Sequence, residues 1–136
     1  MKIMLDDGAK MPTRAHHTDA GLDLYAKETH VVPAKESAVF DTGVHIELPL
    51  CTTGFLKSKS GLNVKHGIVS DGVIDAGYTG SIRVKLYNLS GYDYTVHAGD
   101  RIAQLVILKC ELPELELVDS LEETDRGDNG FGSTGR

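Results

Sequence analysis

An excess of positive charge is missing from this chain. It carries 14 Lys and Arg against 20 Asp and Glu, a formal charge of -6. That excludes the basic stripe of a protein that lives on nucleic acid. An anionic small ligand remains open, provided that the site gathers cations locally or brings a metal. Long apolar runs are missing too. No stretch approaches the ~18 apolar residues of a membrane span. Cysteine is scarce: Cys51 and Cys110 stand far apart, and neither belongs to a CxxC pair. A metal knuckle or a dithiol redox motif is therefore not expected, and two reduced, partly buried thiols suit a cytoplasmic protein. Tryptophan is absent, and aromatics make up only 6%. The opening MKIMLDDGAKMP reaches Asp6, Asp7 and Gly8 before any long apolar run, so no signal peptide is expected.

What is present is the makings of one globular domain. A length of 136 residues and 40% hydrophobic composition allow a single core without covalent staples. Turn signals recur at short intervals: DDG at 6–8, Pro33, DTG at 41–43, Pro49, SDG at 70–72, SG at 90–91 and HAGD at 97–100. Short runs rich in Val, Ile, Leu, Thr and Tyr lie between them. This predicts an all-β sandwich or barrel. In SIRVKLYN, Ile82, Val84 and Leu86 alternate with Arg83, Lys85 and Tyr87, the period of a strand with one buried face. GVHIELP repeats the pattern with Val44, Ile46 and Leu48. RIAQLVILK is ambiguous, because Ile102, Leu105 and Val106 also suit a helix; its β-branched content favours a strand. SGLNVKH suits one short helical turn. Apolar periodicity stops near Thr124, which divides a body at 1–124 from an arm at 125–136.

Three stretches carry chemistry. The last is TDRGDNGFGSTGR. Glycine-rich backbone lets several N–H groups face one anion; Ser133 and Thr134 add hydroxyls, and Arg126 adds a planar fork for phosphate oxygens. Phe131 has nothing local to pack on and could stack on a flat ring. A solvated tail and a strap over a phosphate-bearing ligand both fit. A Walker loop is not expected, because no Lys follows the last glycine. In GVIDAGYTGSIRVKLYN, the residues read as a β-hairpin with Asp75 at the turn. There it could deprotonate a water or cap the turn. Tyr78 starts the return strand, and Gly72, Gly77 and Gly80 allow close backbone approach. In KSKSGL, Lys59, Ser60 and Gly61 offer a cation, a hydroxyl and an unhindered N–H, or a solvated basic loop.

Taken in order, AGLDLYA (20–26), KSKSGL (57–62), GVIDAGYTG (72–80), GDRIAQLV (99–106) and RGDNGFGSTG (126–135) resemble the five motifs of the homotrimeric dUTPases. The resemblance spans nearly the whole chain. It implies a distorted jelly roll of β-clip type, a trimer with sites shared between chains, and a mobile arm that closes over them. It implies hydrolysis of dUTP to dUMP and pyrophosphate, with Asp75 as general base. Tyr78 would pack beneath the deoxyribose, and the backbone of Gly72, Val73 and Ile74, with that of Arg83, would read uracil. Lys59, Ser60, Gly61 and Gln104 would hold phosphates or water. Arg126, Gly132, Ser133 and Thr134 would wrap the γ-phosphate beneath Phe131, which stacks on the base. Mg²⁺ would be held mainly by the phosphates, with Asp23 reaching it through water. All six histidines are expected to be structural or surface residues. No nucleic acid or membrane partner is expected.

The chain departs from the family pattern where Ser58 and Lys59 replace Pro-Arg, and where Asn129 replaces a glycine. A dCTP deaminase of the same fold is the nearest competing activity, but it needs a further carboxylate where this chain has Ala76. A nucleotide-gated regulatory binding protein is the competing non-enzymatic role.

Overall fold

The computed structural model describes residues 1–127. Eleven strands and one short helix follow in order: β1 Lys2–Leu5, β2 Gly21–Tyr25, β3 His30–Val32, β4 Ser37–Asp41, β5 Val44–Glu47, β6 Thr52–Ser58, α1 Ser60–His66, β7 Ile68–Val69, β8 Asp71–Ile74, β9 Arg83–Asn88, β10 Tyr94–Val96 and β11 Arg101–Lys109. The all-β expectation holds. Every ladder is antiparallel. The strands form a four-stranded sheet, β2-β11-β6-β8, a three-stranded sheet, β4-β9-β7, and the pairs β1-β5 and β10-β3. No helix among the described residues is long and apolar enough to cross a membrane.

One apolar cluster joins the sheets. Leu24, Leu56, Ile74, Ala103 and Leu105 enter it from the larger sheet; Phe40, Ile68, Val84 and Leu86 come from the three-stranded one. Val44 and Ile46 enter from β5, and Val32 and Val96 from the β10-β3 pair. The alternation in β9 and β5 is as the sequence predicts, with Val84 and Leu86 buried between exposed Arg83, Lys85 and Tyr87. Asn88 occupies the inward phase of β9 yet leaves no group wanting. Its Nδ2 donates to the Val32 and Tyr92 carbonyls, and its Oδ1 accepts from Ser90 N and Oγ.

The helix-like spacing in RIAQLVILK has a local cause. The register against β2 slips between Arg101 and Ala103. This bulge leaves Ile102 and Ala103 both buried and restarts the alternation at Leu105. At Gly54, on β6, a Cβ would lie 2.8 Å from Leu105 Cδ1 and 3.3 Å from Ile74 Cβ, so β6 stays bare there to let its neighbours pack. The last backbone tie to the body is Cys110 N–H donating to the Cys51 carbonyl at 3.0 Å. From there to residue 127 the chain forms no helix or strand, and Leu112, Leu115, Leu117 and Leu121 are exposed. Gly54→Ala should cost about 1–3 kcal/mol by overpacking, read as a lower urea midpoint; an unchanged midpoint would contradict this packing.

Candidate active site

Asp23 is the buried charge of the fold. The alternation of β2 turns it inward, and only 2% of its surface is exposed. A lone carboxylate there would be strongly disfavoured. Three donors converge on it. Lys59 Nζ donates to Oδ1 at 2.6 Å, Gln104 Nε2 to Oδ1 at 3.2 Å, and Arg101 Nη1 to Oδ2 at 3.3 Å. Burial pushes the Asp23 carboxyl up, but the Lys59, Gln104 and Arg101 donors outweigh it and hold the group below the ordinary carboxylate range.

Each donor has a structural reason for its place. Gln104 stands directly opposite Asp23 in the β2–β11 ladder. It lies over Gly21, where a Cβ would come within 3.0 Å of its own Cβ. Arg101 sits at the bulge. Lys59 ends the chain's run out of β6 and holds the N-cap position of α1, where no side chain caps the helix. Ser60 and Gly61 follow in the exposed first turn, and the first helical bond is Asn63 N–H to the Lys59 carbonyl. The N–H groups of Ser60, Gly61 and Leu62 therefore have no intrahelical acceptor. Residues 23, 59, 101 and 104 are thus brought together. Sequence reasoning passed over Arg101, although its position directly after the HAGD turn and three before Gln104 puts it on the same strand.

The second group surrounds Asp75. Gly72, Val73 and Ile74 lie in β8, which pairs with β6 on one side. No strand pairs with its other edge among the described residues. Asp75 follows, exposed, and Tyr78 N–H closes a turn onto its carbonyl at 3.0 Å. Tyr78 is 44% exposed, and its hydroxyl donates to the Ser81 carbonyl at 2.8 Å. Its ring lies against Gly80, where a Cβ would stand 2.6 Å from the hydroxyl oxygen. The expected hairpin is corrected here. β8 belongs to the larger sheet, whereas β9, opened by Arg83, pairs with β4 and β7. The reason lies in residues 81–82. Ser81 Oγ bonds the Asp41 carboxylate and Ile82 N–H the Val44 carbonyl (2.8 Å), which draws the returning chain away from β8.

The sheet register sets the distance between the two groups. Asp23, Gln104, Lys57 and Asp71 form one row across β2-β11-β6-β8. Asp75 lies four residues beyond Asp71, and three strand spacings separate β8 from β2. At ~3.4 Å per residue and ~4.8 Å per strand, Asp75 and Asp23 are roughly 20 Å apart within one chain. A cleft of about 330 Å³ between β1 and β5 reaches the Asp75 loop at Thr79 and is also lined by His45; a second, of about 300 Å³, is lined by Met11, Leu22, Leu105 and Ile107 with the N-terminal strand. Arg126 is exposed, in a turn closed by Gly127 N–H to the Thr124 carbonyl. Phe131, Gly132, Ser133 and Thr134 lie outside the described residues. No cluster of three or more His, Cys, Asp or Glu that could cage a metal occurs among the described residues.

Comparison with known proteins identifies the family and agrees with the fold. The sequence model of the dUTPase family matches residues 7–135. The deoxyuridine 5'-triphosphate nucleotidohydrolase of Kluyveromyces lactis is 45% identical over 139 residues, covering 100% of this chain and 94% of that one. Among solved structures, the dUTPase of Staphylococcus bacteriophage 80alpha with dUpNHpp superposes with a TM-score of 0.89 at 35% identity, over 99% of this chain and 98% of that one. A mutant dUTPase of phage phi11 of S. aureus, described with a structural Mg(II) ion, gives 0.83 at 33% identity, over 90% of this chain and 98% of that one.

The paired Asp23 makes a prediction about acid stability. Its folded carboxyl titrates below its unfolded value, so its contribution is fully present above the ordinary carboxylate range and is lost as pH falls through the lowered folded value. Asp23→Asn should cost about 2–3 kcal/mol at neutral pH. The gap from wild type should close as pH falls below about 4. Urea unfolding at several pH values reads both; a gap that stays constant down to pH 3 would contradict the pairing.

Proposed function

This chain belongs to the dUTPase family and is a dUTP diphosphatase, and we propose that it cleaves dUTP to dUMP and pyrophosphate in sites completed by a neighbouring copy of itself. The observation that carries this reading is the sheet register, which sets apart two half-sites that are chemically complementary. The Asp23 group holds the cations but no unengaged base. The Asp75 group holds an exposed carboxylate and an aromatic platform but no cluster of cations. Joined across an interface they supply what a triphosphate needs. The exposed leucines of 112–121 also call for cover by another copy. The family resemblance supports a trimer for that assembly, with residues 125–136 as the strap over the site.

In this reading the free edge of β8 reads the base. Its backbone N–H and C=O groups at Gly72, Val73 and Ile74 match the acceptor–donor–acceptor edge of uracil. Cytosine would leave buried groups unpaired, and a thymine methyl would collide with the loop. Tyr78 supports the deoxyribose where a 2′-hydroxyl would clash. Asp75 takes a proton from a water in line with the α-phosphorus. As the new P–O bond forms, the bond to the bridging oxygen breaks and pyrophosphate leaves. Lys59 gives one N–H to Asp23 and keeps two for phosphate oxygens. Ser60, Gly61 and Gln104 add neutral donors. Arg126, Ser133 and Thr134 take the γ-phosphate, and Phe131 covers uracil.

The donor set fits Mg²⁺ held mainly by phosphates. Two donors occupy Asp23 Oδ1 and one occupies Oδ2, which leaves a lone pair on Oδ2 for a metal-bound water. When bound, the ion neutralises charge on the phosphates.

Pyrophosphate release measured on dUTP, dCTP, dTTP and UTP side by side should be confined to dUTP. Ammonia release from dCTP would identify a deaminase, and binding of dUTP without turnover a regulatory protein. Asp75→Asn should lower turnover ~10²-fold or more while substrate still binds; near-normal turnover would refute Asp75 as the base. Deleting 125–136 should abolish turnover without dissolving the oligomer, and full activity in the truncated chain would rule out the strap.

A further inference from the structure

The loop that carries Asp75 and Tyr78 belongs to no strand and is largely exposed, so something outside it must fix its shape. The corner between β4 and β5 does so. Gly43, at φ 64°, turns this corner, and its N–H donates to Asp41 Oδ1 at 3.0 Å. Asp41 also accepts from Ser81 Oγ, and these two donors outweigh burial and hold its carboxyl below the ordinary range. Thr42 Oγ1 donates to the Ile82 carbonyl at 2.7 Å. These contacts hold residues 81 and 82, beyond the loop proper.

His45 reaches further in. Its side chain is only 18% exposed. Nδ1 lies 2.8 Å from the Thr79 carbonyl oxygen, and Nε2 lies 3.2 Å from Asp6 Oδ1. A carbonyl oxygen has no proton to give, so Nδ1 must be the donor. That assigns the tautomer by chemistry. In the imidazolium form Nε2 donates to Asp6 as well. Asp6 is itself anchored, its N–H donating to the Gly43 carbonyl at 2.9 Å. With a proton on each nitrogen, the ring ties the Thr79 carbonyl to a fixed carboxylate; with Nδ1–H alone, it still holds the Thr79 carbonyl. Thr79 directly follows Tyr78, whose N–H closes the Asp75 turn.

We infer that His45 is a positioning residue for the reaction: its Nδ1–H holds the Thr79 carbonyl and so sets the orientation of the Asp75–Tyr78 turn toward substrate. The inference rests on the reading of Asp75 as the base. It goes beyond the expectation that all six histidines are structural or surface residues.

The test uses which ring nitrogen matters. Asn places an amide N–H near the position of Nδ1, whereas Gln places it near that of Nε2. His45→Asn should keep kcat within about threefold of wild type, whereas His45→Gln and His45→Phe should lose about ten- to hundredfold in kcat. KM should change less than kcat, because the β8 edge and the phosphate donors are untouched. A purely structural role would instead rank the variants by melting temperature. Equal kcat for Asn and Gln, or higher kcat for Gln, would overturn the inference. If His45→Phe fails to fold, the Asn and Gln comparison decides alone. Asp75→Asn in the same assay separates the two claims. If that variant turns over normally, the reading of the base fails; if it is inactive and the His45 variants are indifferent, only the role of His45 fails.

Discussion

The register of the β2-β11-β6-β8 sheet constrains everything else in this molecule. Antiparallel pairing places Asp23 opposite Gln104, and Gln104 opposite Lys57, so Lys59 emerges two residues on, within reach of the same carboxylate. The same pairing carries Asp75 off the far end of β8. A one-residue slip would turn Asp23 to the opposite face and bring a leucine to the cations. The β11 bulge and the bare backbone at Gly54 and Gly21 are the local devices that keep this register compatible with a packed core. The buried Asp23 pairing is what the register creates; charged lysine and arginine side chains are held there by a carboxylate that burial alone would have neutralised.

Separation of base and cations has a functional consequence. A single chain that held both groups together would need an irregular crossing of the sheet. A strand-based scaffold instead offers rigid, distant half-sites, which in the proposed assembly a second copy brings together. Specificity for uracil, in this account, comes from backbone at a sheet edge, which no single side-chain substitution can easily alter. The phosphate side depends on side chains, and there Lys59 stands in place of the family's arginine. Lysine supplies a point charge with three donors, one already engaged by Asp23, so the proposed phosphate capture would be less rigid than a bidentate fork would impose.

Much of the architecture was legible because it follows simple periods. The alternation in β9 and β5 needed no tertiary information, and the turn residues marked most strand ends. The bulge at Arg101 was not legible, since it obscured the period of β11 and made a strand resemble a helix. The hairpin reading of 72–88 failed because short-range turn signals say nothing about which sheet each arm will join; Asp41 and Val44, about 40 residues earlier, decide it. The site residues came chiefly from motif order. What motif order could not reveal was their mutual use: that Lys59 and Gln104 bond Asp23, that Arg101 joins them, and that His45 braces Thr79. Each of those contacts links residues far apart in the chain, and their partners have no sequence signature.

The central claim is that one working site draws Asp75 from one copy and Lys59 from another. Two variants, Asp75→Asn and Lys59→Ala, should each be nearly inactive alone. Refolded together in equal amounts, with mixed assembly verified by two different tags, they should recover about a quarter of wild-type pyrophosphate release, as random association into trimers with shared sites requires. Mixed oligomers no more active than either parent would contradict the account, because they would place both residues of each site in the same chain.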